Sequence, residues 1–242
     1  MTTQPQLAAE VVDGLDADTY HQHEALSATG AKRILKAPAL YRWQADNPQP
    51  STKTFDFGKA AHRLVLGAGE PVEVLDFDSW RTKAAQEARD EAAAAGRVPL
   101  LVKDWQTVEA MAAALRAAEL VTDAGVRFSV GDLFGDGKPE QSLFWRDPDT
   151  GVPCRARLDW LPDPREGRRM VVVDYKTAAT ANPAEFGRAA DSYDYHLQQA
   201  WYLDGVRTCG LDRDPAFVFV VQEKTEPYLV SVCQLDADAA AL

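Results

Sequence analysis

The segment Met170-Val171-Val172-Val173-Asp174-Tyr175-Lys176 decides the fold of this chain. Its run of β-branched residues predicts a buried strand. Side chains two positions apart on a strand point to the same face, so Asp174 and Lys176 project together from the end of an apolar strand. A buried strand excludes such charges unless they are paired or hold a metal ion. The segment therefore predicts either a strand-end salt bridge or a catalytic site.

A predicted hairpin that carries a second acid precedes this strand. Residues 141–145 are predicted as its first strand and residues 154–161, with Asp159, as the return strand. Carboxylates on neighbouring strands are ligands that Mg²⁺ prefers, and a nearby lysine can orient water and stabilise charge on a phosphoryl group. Asp159, Asp174 and Lys176 therefore fit metal-dependent hydrolysis of a phosphodiester.

The remaining sequence predicts an α/β fold in one compact domain. Residues 1–125 are predicted to be a mostly helical N-terminal region, and residues 126–242 an α/β core. The first nineteen residues are predicted to be a polar, mobile lead-in, and Ser27 an N-cap. Further predicted elements are helices at 54–67, 79–95, 104–123 and 192–207, a helix start at 182–185, and strands at 216–222 and 228–234.

Composition limits the possible functions of the chain. Three scattered cysteines argue against a disulfide framework, and the sequence predicts no secretory signal, no transmembrane span and no ATP-binding glycine loop. The formal net charge of −11 argues against broad electrostatic binding of nucleic acid. Five arginines near Asp159 and Asp174 in the sequence are expected to supply local positive charge: Arg155, Arg157, Arg165, Arg168 and Arg169.

Several ordered phrases resemble one nuclease family. They are Leu26-Ser27-Ala28-Thr29-Gly30 with Leu35-Lys36-Ala37-Pro38, Phe57-Gly58-Lys59-Ala60-Ala61-His62, Pro139-Glu140 with Phe144-Trp145, Cys154-Arg155-Ala156-Arg157-Leu158-Asp159, Val173-Asp174-Tyr175-Lys176-Thr177, and Tyr195-His196-Leu197-Gln198-Gln199-Ala200-Trp201-Tyr202. Together they resemble the PD-(D/E)XK nuclease superfamily, and more closely the RecE-type (exonuclease VIII-like) recombination exonucleases of phages. This resemblance implies a restriction-endonuclease-like core, in which helices flank a mixed central sheet.

The resemblance also implies roles for individual residues. His62 matches a metal-ligating histidine, Asp159 and Asp174 match the two acidic ligands, and Lys176 matches the catalytic lysine. Glu140 is the best match to an additional upstream acid, although a solvated strand start is the alternative. Gln198 and Tyr202 match residues that flank the site and contact substrate. Leu158 departs from the proline of many members, at a position that supplies no ligand. The implied cofactor is Mg²⁺, with Mn²⁺ as a substitute.

The expected activity is exonucleolytic digestion of linear double-stranded DNA in the 5′→3′ direction, during phage-type recombination in the cytoplasm of a bacterial host. The resemblance further implies a single-strand annealing protein as partner and a ring-shaped homo-oligomer, without membrane association. An iron–sulfur cluster is not expected, because the cysteines do not cluster. Two alternatives remain open: a structure-specific endonuclease of the same superfamily, and a non-catalytic DNA-binding recombination scaffold.

Overall fold

Helices and strands alternate along this computed structural model, which describes residues 9–47 and 53–236. The strands are β1 (Glu10–Val12), β2 (Leu26–Ser27), β3 (Val72–Leu75), β4 (Val98–Leu101), β5 (Glu119–Val121), β6 (Arg127–Ser129), β7 (Gly137–Arg146), β8 (Pro153–Pro162), β9 (Val171–Ala178), β10 (Ala216–Glu223) and β11 (Val230–Cys233). The helices are α1 (Ala17–Gln22), α2 (Ala28–Lys36), α3 (Pro38–Asp46), α4 (Lys53–Leu66), α5 (Lys83–Ala94), α6 (Val102–Ala117), α7 (Pro183–Ser192) and α8 (Tyr195–Thr208).

A seven-stranded mixed sheet forms the centre of the described chain. Its order is β1-β7-β8-β9-β10-β11, and β2 pairs with β8. Strands β9 and β10 are parallel, and the intervening α7 and α8 form the crossover that a parallel pair requires. Strands β7 and β8 form the predicted antiparallel hairpin. The prediction of a mixed central sheet is confirmed.

Helices cover both faces of this sheet. On one face, α4 and α6 pack around Trp160, Val173 and Tyr175. On the other face, α7 and α8 pack around Leu158 and Val172. Both clusters are apolar, so β8 and β9 run between two helical layers. Among the helices of the described residues, none combines the length and apolarity that crossing a bilayer requires.

The N-terminal half contains more strand than the sequence predicts. The lead-in is not wholly irregular, because β1 pairs with β7 in the main sheet. The helix predicted at 79–95 begins only at Lys83, where Thr82 accepts a hydrogen bond from the Ala85 N–H. The helix predicted at 104–123 ends at Ala117, because β5 pairs with β6. The division at residue 125 stays a prediction.

Capping and close packing set the positions of α7 and α8. The Asn182 side chain accepts a hydrogen bond from the Ala184 N–H, as the helix-start pattern predicts. Helix α8 lies so close to β7 that a Cβ atom at Gly205 would be 2.9 Å from the Trp145 ring. Glycine is therefore needed at this position, and it fixes the distance from α8 to the sheet.

Candidate active site

Asp159 and Asp174 lie opposite each other on β8 and β9. The register pairs Trp160 with Val173, and because the two strands are antiparallel, Asp159 then faces Asp174. The Asp159 Oδ2 atom accepts a hydrogen bond of 2.8 Å from the Tyr175 N–H. A side chain thus takes the place of a backbone acceptor between these strands, and this contact holds the Asp159 carboxylate next to β9.

Asp174 is almost wholly enclosed, with 2% of its side chain exposed. Its Oδ2 atom lies 2.5 Å from the Lys176 Nζ atom, and its Oδ1 atom accepts a 2.7 Å hydrogen bond from the Gln198 amide. Burial raises the pKa of Asp174 to about 6 against the opposing effect of Lys176, and Asp159 adds to the rise. Burial lowers the pKa of Lys176, but Asp174 and Asp159 more than offset this and the net shift is upward. The sequence-predicted pair is therefore in direct contact.

His62 lies across the strands from this pair. It is on α4, and its ring lies at 5.1 Å from the Tyr175 ring, centroid to centroid. Its Nδ1 atom lies 3.7 Å from the Asp159 Oδ2 atom. One ligand atom each from His62, Glu140 and Asp159 lie within 4.8 Å of one another, which makes these three residues a candidate metal site. Asp174 lies outside this three-residue cluster, and its carboxylate contacts Lys176 and Gln198. Its role as a metal ligand stays a prediction.

Glu140 reaches the cluster through an unusual backbone conformation. Its φ of +52° is in the left-handed region, which non-glycine residues seldom adopt. The β7–β8 ladder is regular on either side, with Pro139 opposite Trp160 and Gln141 opposite Leu158. Such backbone strain persists where the surrounding structure enforces it, often at functional sites. The sequence left the role of Glu140 open. Its backbone conformation directs its carboxylate toward Asp159.

The electrostatics of the cluster fit a divalent cation. Burial raises the pKa of Glu140, and Asp159 adds to this shift while His62 and Arg157 oppose it. Negative charge is therefore crowded at the site, and a bound cation would relieve it. Carboxylate oxygens suit Mg²⁺ and Mn²⁺, and an imidazole nitrogen favours the transition metal. We therefore take His62, Glu140 and Asp159 as the residues able to hold a metal, with Asp174 beside them.

Tyr202 lies behind Gln198 on the same face of α8. Its ring packs edge-on against Phe217, with 6.0 Å between centroids. Burial raises the pKa of its phenol well above the usual value, and a hydrogen bond with Gln198 opposes the shift. The structure thus places Gln198 against Asp174 and Tyr202 behind Gln198. The predicted substrate contacts of both residues stay predictions.

The arginines of β8 do not form the expected basic surface. Arg155 donates hydrogen bonds to the backbone oxygens of His21 and His23. Arg157 donates to the Leu15 oxygen, and both guanidinium groups lie over the Tyr20 ring. These two arginines therefore anchor the segment before β2. Two other arginines pair with acids, Arg165 with Asp136 and Arg169 with Asp214.

One side chain beside Asp174 and Lys176 was not identified from the sequence. The Lys176 Nζ atom lies 5.3 Å from the centroid of the Tyr195 ring, at the start of α8. Tyr195 in turn stacks on Phe186 in the core. Its place in the Tyr195-His196-Leu197-Gln198 phrase was the available signal, but spacing alone does not show that the ring reaches Lys176.

Comparisons with known proteins agree with this fold. No curated protein matches the chain significantly. A crystal structure of a protein from Eubacterium rectale, described provisionally as an exonuclease, is similar with a TM-score of 0.58 and 11% identity, covering 94% of this chain and 80% of that one. At this identity the likeness shows the fold alone.

A protein-family model identifies the family to which this chain belongs. The model described as "PDDEXK-like domain of unknown function (DUF3799)" matches residues 27–241. This match confirms the predicted PD-(D/E)XK superfamily, whereas the closer likeness to RecE-type exonucleases stays a prediction. Because the match covers most of the chain, the protein belongs to the family of PDDEXK-like domains designated DUF3799.

Proposed function

We propose that this protein is a divalent-metal-dependent exonuclease that hydrolyses linear double-stranded DNA, using Mg²⁺ or Mn²⁺. The observation that carries the proposal is the meeting of His62, Glu140 and Asp159 within 4.8 Å, next to the contact between Asp174 and Lys176. A salt bridge that only closed the end of a strand would not need three further ligand atoms gathered beside it. The nuclease-like fold adds independent support.

The side chains have distinct roles in this reaction. A cation held by His62, Glu140 and Asp159 would stabilise charge on the phosphoryl oxygens and make bound water a better nucleophile. Lys176 orients the attacking water and stabilises the negative charge that develops on phosphorus-bound oxygen. The water gives up one proton to solvent as its oxygen forms the new P–O bond, the bond to the leaving oxygen breaks, and the leaving alkoxide takes up a proton from solvent. Gln198 positions Asp174 through its amide donor.

The finer parts of the proposal rest on the sequence resemblance. They are the 5′→3′ direction, a place in phage-type recombination in the cytoplasm of a bacterial host, a single-strand annealing partner and a ring-shaped homo-oligomer. An exonuclease of this kind needs a free end, whereas an endonuclease of the same superfamily does not. Linear and covalently closed circular duplexes of the same sequence therefore separate the two activities.

The test is digestion of end-labelled linear duplex with Mg²⁺, with Mn²⁺ and with a chelator, beside the closed circle. We expect digestion of the linear form only, dependent on the metal and abolished in Asp174→Ala. Asp123→Ala, which removes an exposed acid outside the site, is the matched control and should digest normally. Placing the label at the 5′ or 3′ end reads the direction. Undiminished digestion by Asp174→Ala would overturn the proposed mechanism.

A further inference from the structure

A row of stacked aromatic rings leads from the core to the surface beside Lys176. The Phe219 and Tyr195 rings stack at 5.4 Å between centroids, with 26° between their planes. Tyr195 and Tyr193 stack in the same way, at 5.8 Å and 29°. Phe219 is fully buried, whereas Tyr193 is 63% exposed. The outermost ring is therefore supported from below and remains accessible to a ligand.

Two ammonium groups flank the middle ring of this row. The Nζ atoms of Lys176 and Lys32 lie 5.3 Å and 5.5 Å from the Tyr195 centroid. Lys32 also donates a 2.7 Å hydrogen bond to the backbone oxygen of Tyr193. This bond joins α2 to the exposed end of the row. Tyr193 is thus separated from the catalytic lysine by a single side chain, that of Tyr195.

Helix α2 brings positive charge to this place on an otherwise acidic protein. It contains Lys32, Arg33 and Lys36 and no acidic residue, although the whole chain has a net charge of −11. Lys36 is exposed and lies one turn beyond Lys32, on the same face of the helix. Burial lowers the pKa of Lys32 to about 8, so most molecules still carry this charge at pH 7. Helix α2 therefore supplies cations near the ring row, where the carboxylates of Asp194 and Asp174 also act on Lys32.

An accessible ring beside a short line of cations matches the chemistry of single-stranded DNA. Such strands bind where aromatic faces stack on bases and cations track the phosphates. In a duplex the bases are paired and stacked inside, so a protein ring meets the face of a base only where a strand is unpaired. An exposed tyrosine alone is ordinary. Tyr193 differs from such a residue in two ways. Its ring stacks on Tyr195, which stacks on Phe219, and its backbone oxygen accepts a hydrogen bond from Lys32.

We propose that Tyr193 is a stacking platform for an unpaired base of single-stranded DNA beside the catalytic site, with Lys32 and Lys36 binding the adjoining phosphates. The proposal rests on the proposed nuclease function and states how that site holds an unpaired strand. In this proposal the unpaired DNA strand reaches the site along α2 and the junction between α7 and α8.

The test is the affinity for a short fluorescein-labelled oligothymidylate, measured by anisotropy with a chelator present so that no cleavage occurs. Tyr193→Ala should weaken binding at least about fivefold, because one base loses its stacking partner. Tyr193→Phe keeps the ring and should bind as the wild type does. Lys36→Ala should lower the slope of log affinity against log salt by about 0.7, the value for one phosphate contact on a single strand, whereas Tyr193→Ala should leave the slope unchanged.

Arg213→Ala is the charge-matched control. Arg213 is exposed near the beginnings of β9 and β10, at the opposite end of the sheet from Lys176, and its removal should not change binding to the oligothymidylate. Equal affinity of Tyr193→Ala and wild type would overturn the platform, as would a wild type that does not bind the oligothymidylate. In either case, metal-dependent digestion of duplex DNA would still support the nuclease function. Binding that depends on Tyr193 in a wild type that digests nothing would support the platform and remove the proposed function.

Discussion

The Tyr175 N–H donates a 2.8 Å hydrogen bond to the Asp159 Oδ2 atom, which ties the two strands of the candidate site together through a side chain. The bond uses an acid that also lies 3.7 Å from His62. Asp159 therefore has two tasks, because it satisfies a buried backbone donor and offers negative charge to a cation. Substitutions can separate these tasks.

Asp159→Asn should keep the fold and lose the activity. Asparagine retains an oxygen that can accept from the Tyr175 N–H, but it removes the charge that a metal requires. We expect metal-dependent digestion of DNA to fall at least about 100-fold, since even substitutions behind a metal ligand cost 10- to 100-fold. Asp159→Ala should in addition lower the free energy of unfolding by about 1–3 kcal/mol, because the donor is left without a partner. Urea denaturation of both variants checks this difference, and equal stabilities would contradict the role of Asp159 as acceptor for the Tyr175 N–H.

Metal binding should stabilise the folded protein. A ligand that binds only the native state adds about 2.7 kcal/mol to the free energy of unfolding at a concentration of 100 Kd. We therefore expect Mn²⁺ to raise the melting temperature of the wild type and a chelator to reverse the rise. His62→Ala should reduce the shift at equal metal concentration, as thermal denaturation would show. The same shift in wild type and His62→Ala would exclude His62 as a ligand.

Gln198 should act by holding Asp174 in position. Its amide donates a 2.7 Å hydrogen bond to the Asp174 Oδ1 atom. Gln198→Ala should lower kcat about tenfold, in the range of substitutions that support a ligand from behind. Gln198→Glu should lower it further, because a second carboxylate beside Asp174 favours protonation of one of the two. Steady-state kinetics would check both variants, and a rise in KM with unchanged kcat would instead support the predicted substrate contact.

A buried polar link between the sheet and α6 should contribute to stability. The Tyr175 hydroxyl donates to the Gln222 Oε1 atom at 2.7 Å, and the Gln222 amide donates to the Met111 oxygen at 2.8 Å. Tyr175→Phe leaves that Oε1 acceptor without its donor and should lower the free energy of unfolding by about 1–3 kcal/mol. Tyr193→Phe removes an exposed hydroxyl and should change it by less than about 0.5 kcal/mol. Urea denaturation compares the two variants. A loss for Tyr175→Phe no larger than that for Tyr193→Phe would show that the link contributes nothing to stability.

The elements that carry strong periodicity were predictable from the sequence. The apolar stripe of α4 and the β-branched run of β9 each have one dominant pattern, and both elements are present in the structure. Short strands such as β1, β3 and β5 contain three or four residues, too few to show a period. Their pairing depends on distant partners, which a local pattern does not contain.

The candidate site was predictable in its residue types but not in its geometry. The phrases of the sequence identified Asp174 and Lys176, and the structure brings their charged atoms to 2.5 Å. Nothing in the sequence indicates the positive φ of Glu140 that directs its carboxylate to the cluster. The sequence predicted a local group of basic residues that includes Arg155 and Arg157, but both guanidinium groups donate to backbone oxygens more than a hundred positions away.

Those two arginines bear on where the chain can be shortened. The family model begins at residue 27, which makes that residue an attractive starting point for a trimmed recombinant protein. Such a protein would lack the Tyr20 ring and the backbone oxygens of residues 15, 21 and 23 that Arg155 and Arg157 use. It would also expose the edge of β7 that β1 covers, which offers unpaired strand to other molecules. We therefore expect a protein that starts at residue 27 to be less stable, and more prone to pair with other molecules through β7, than one that keeps residues 9–26.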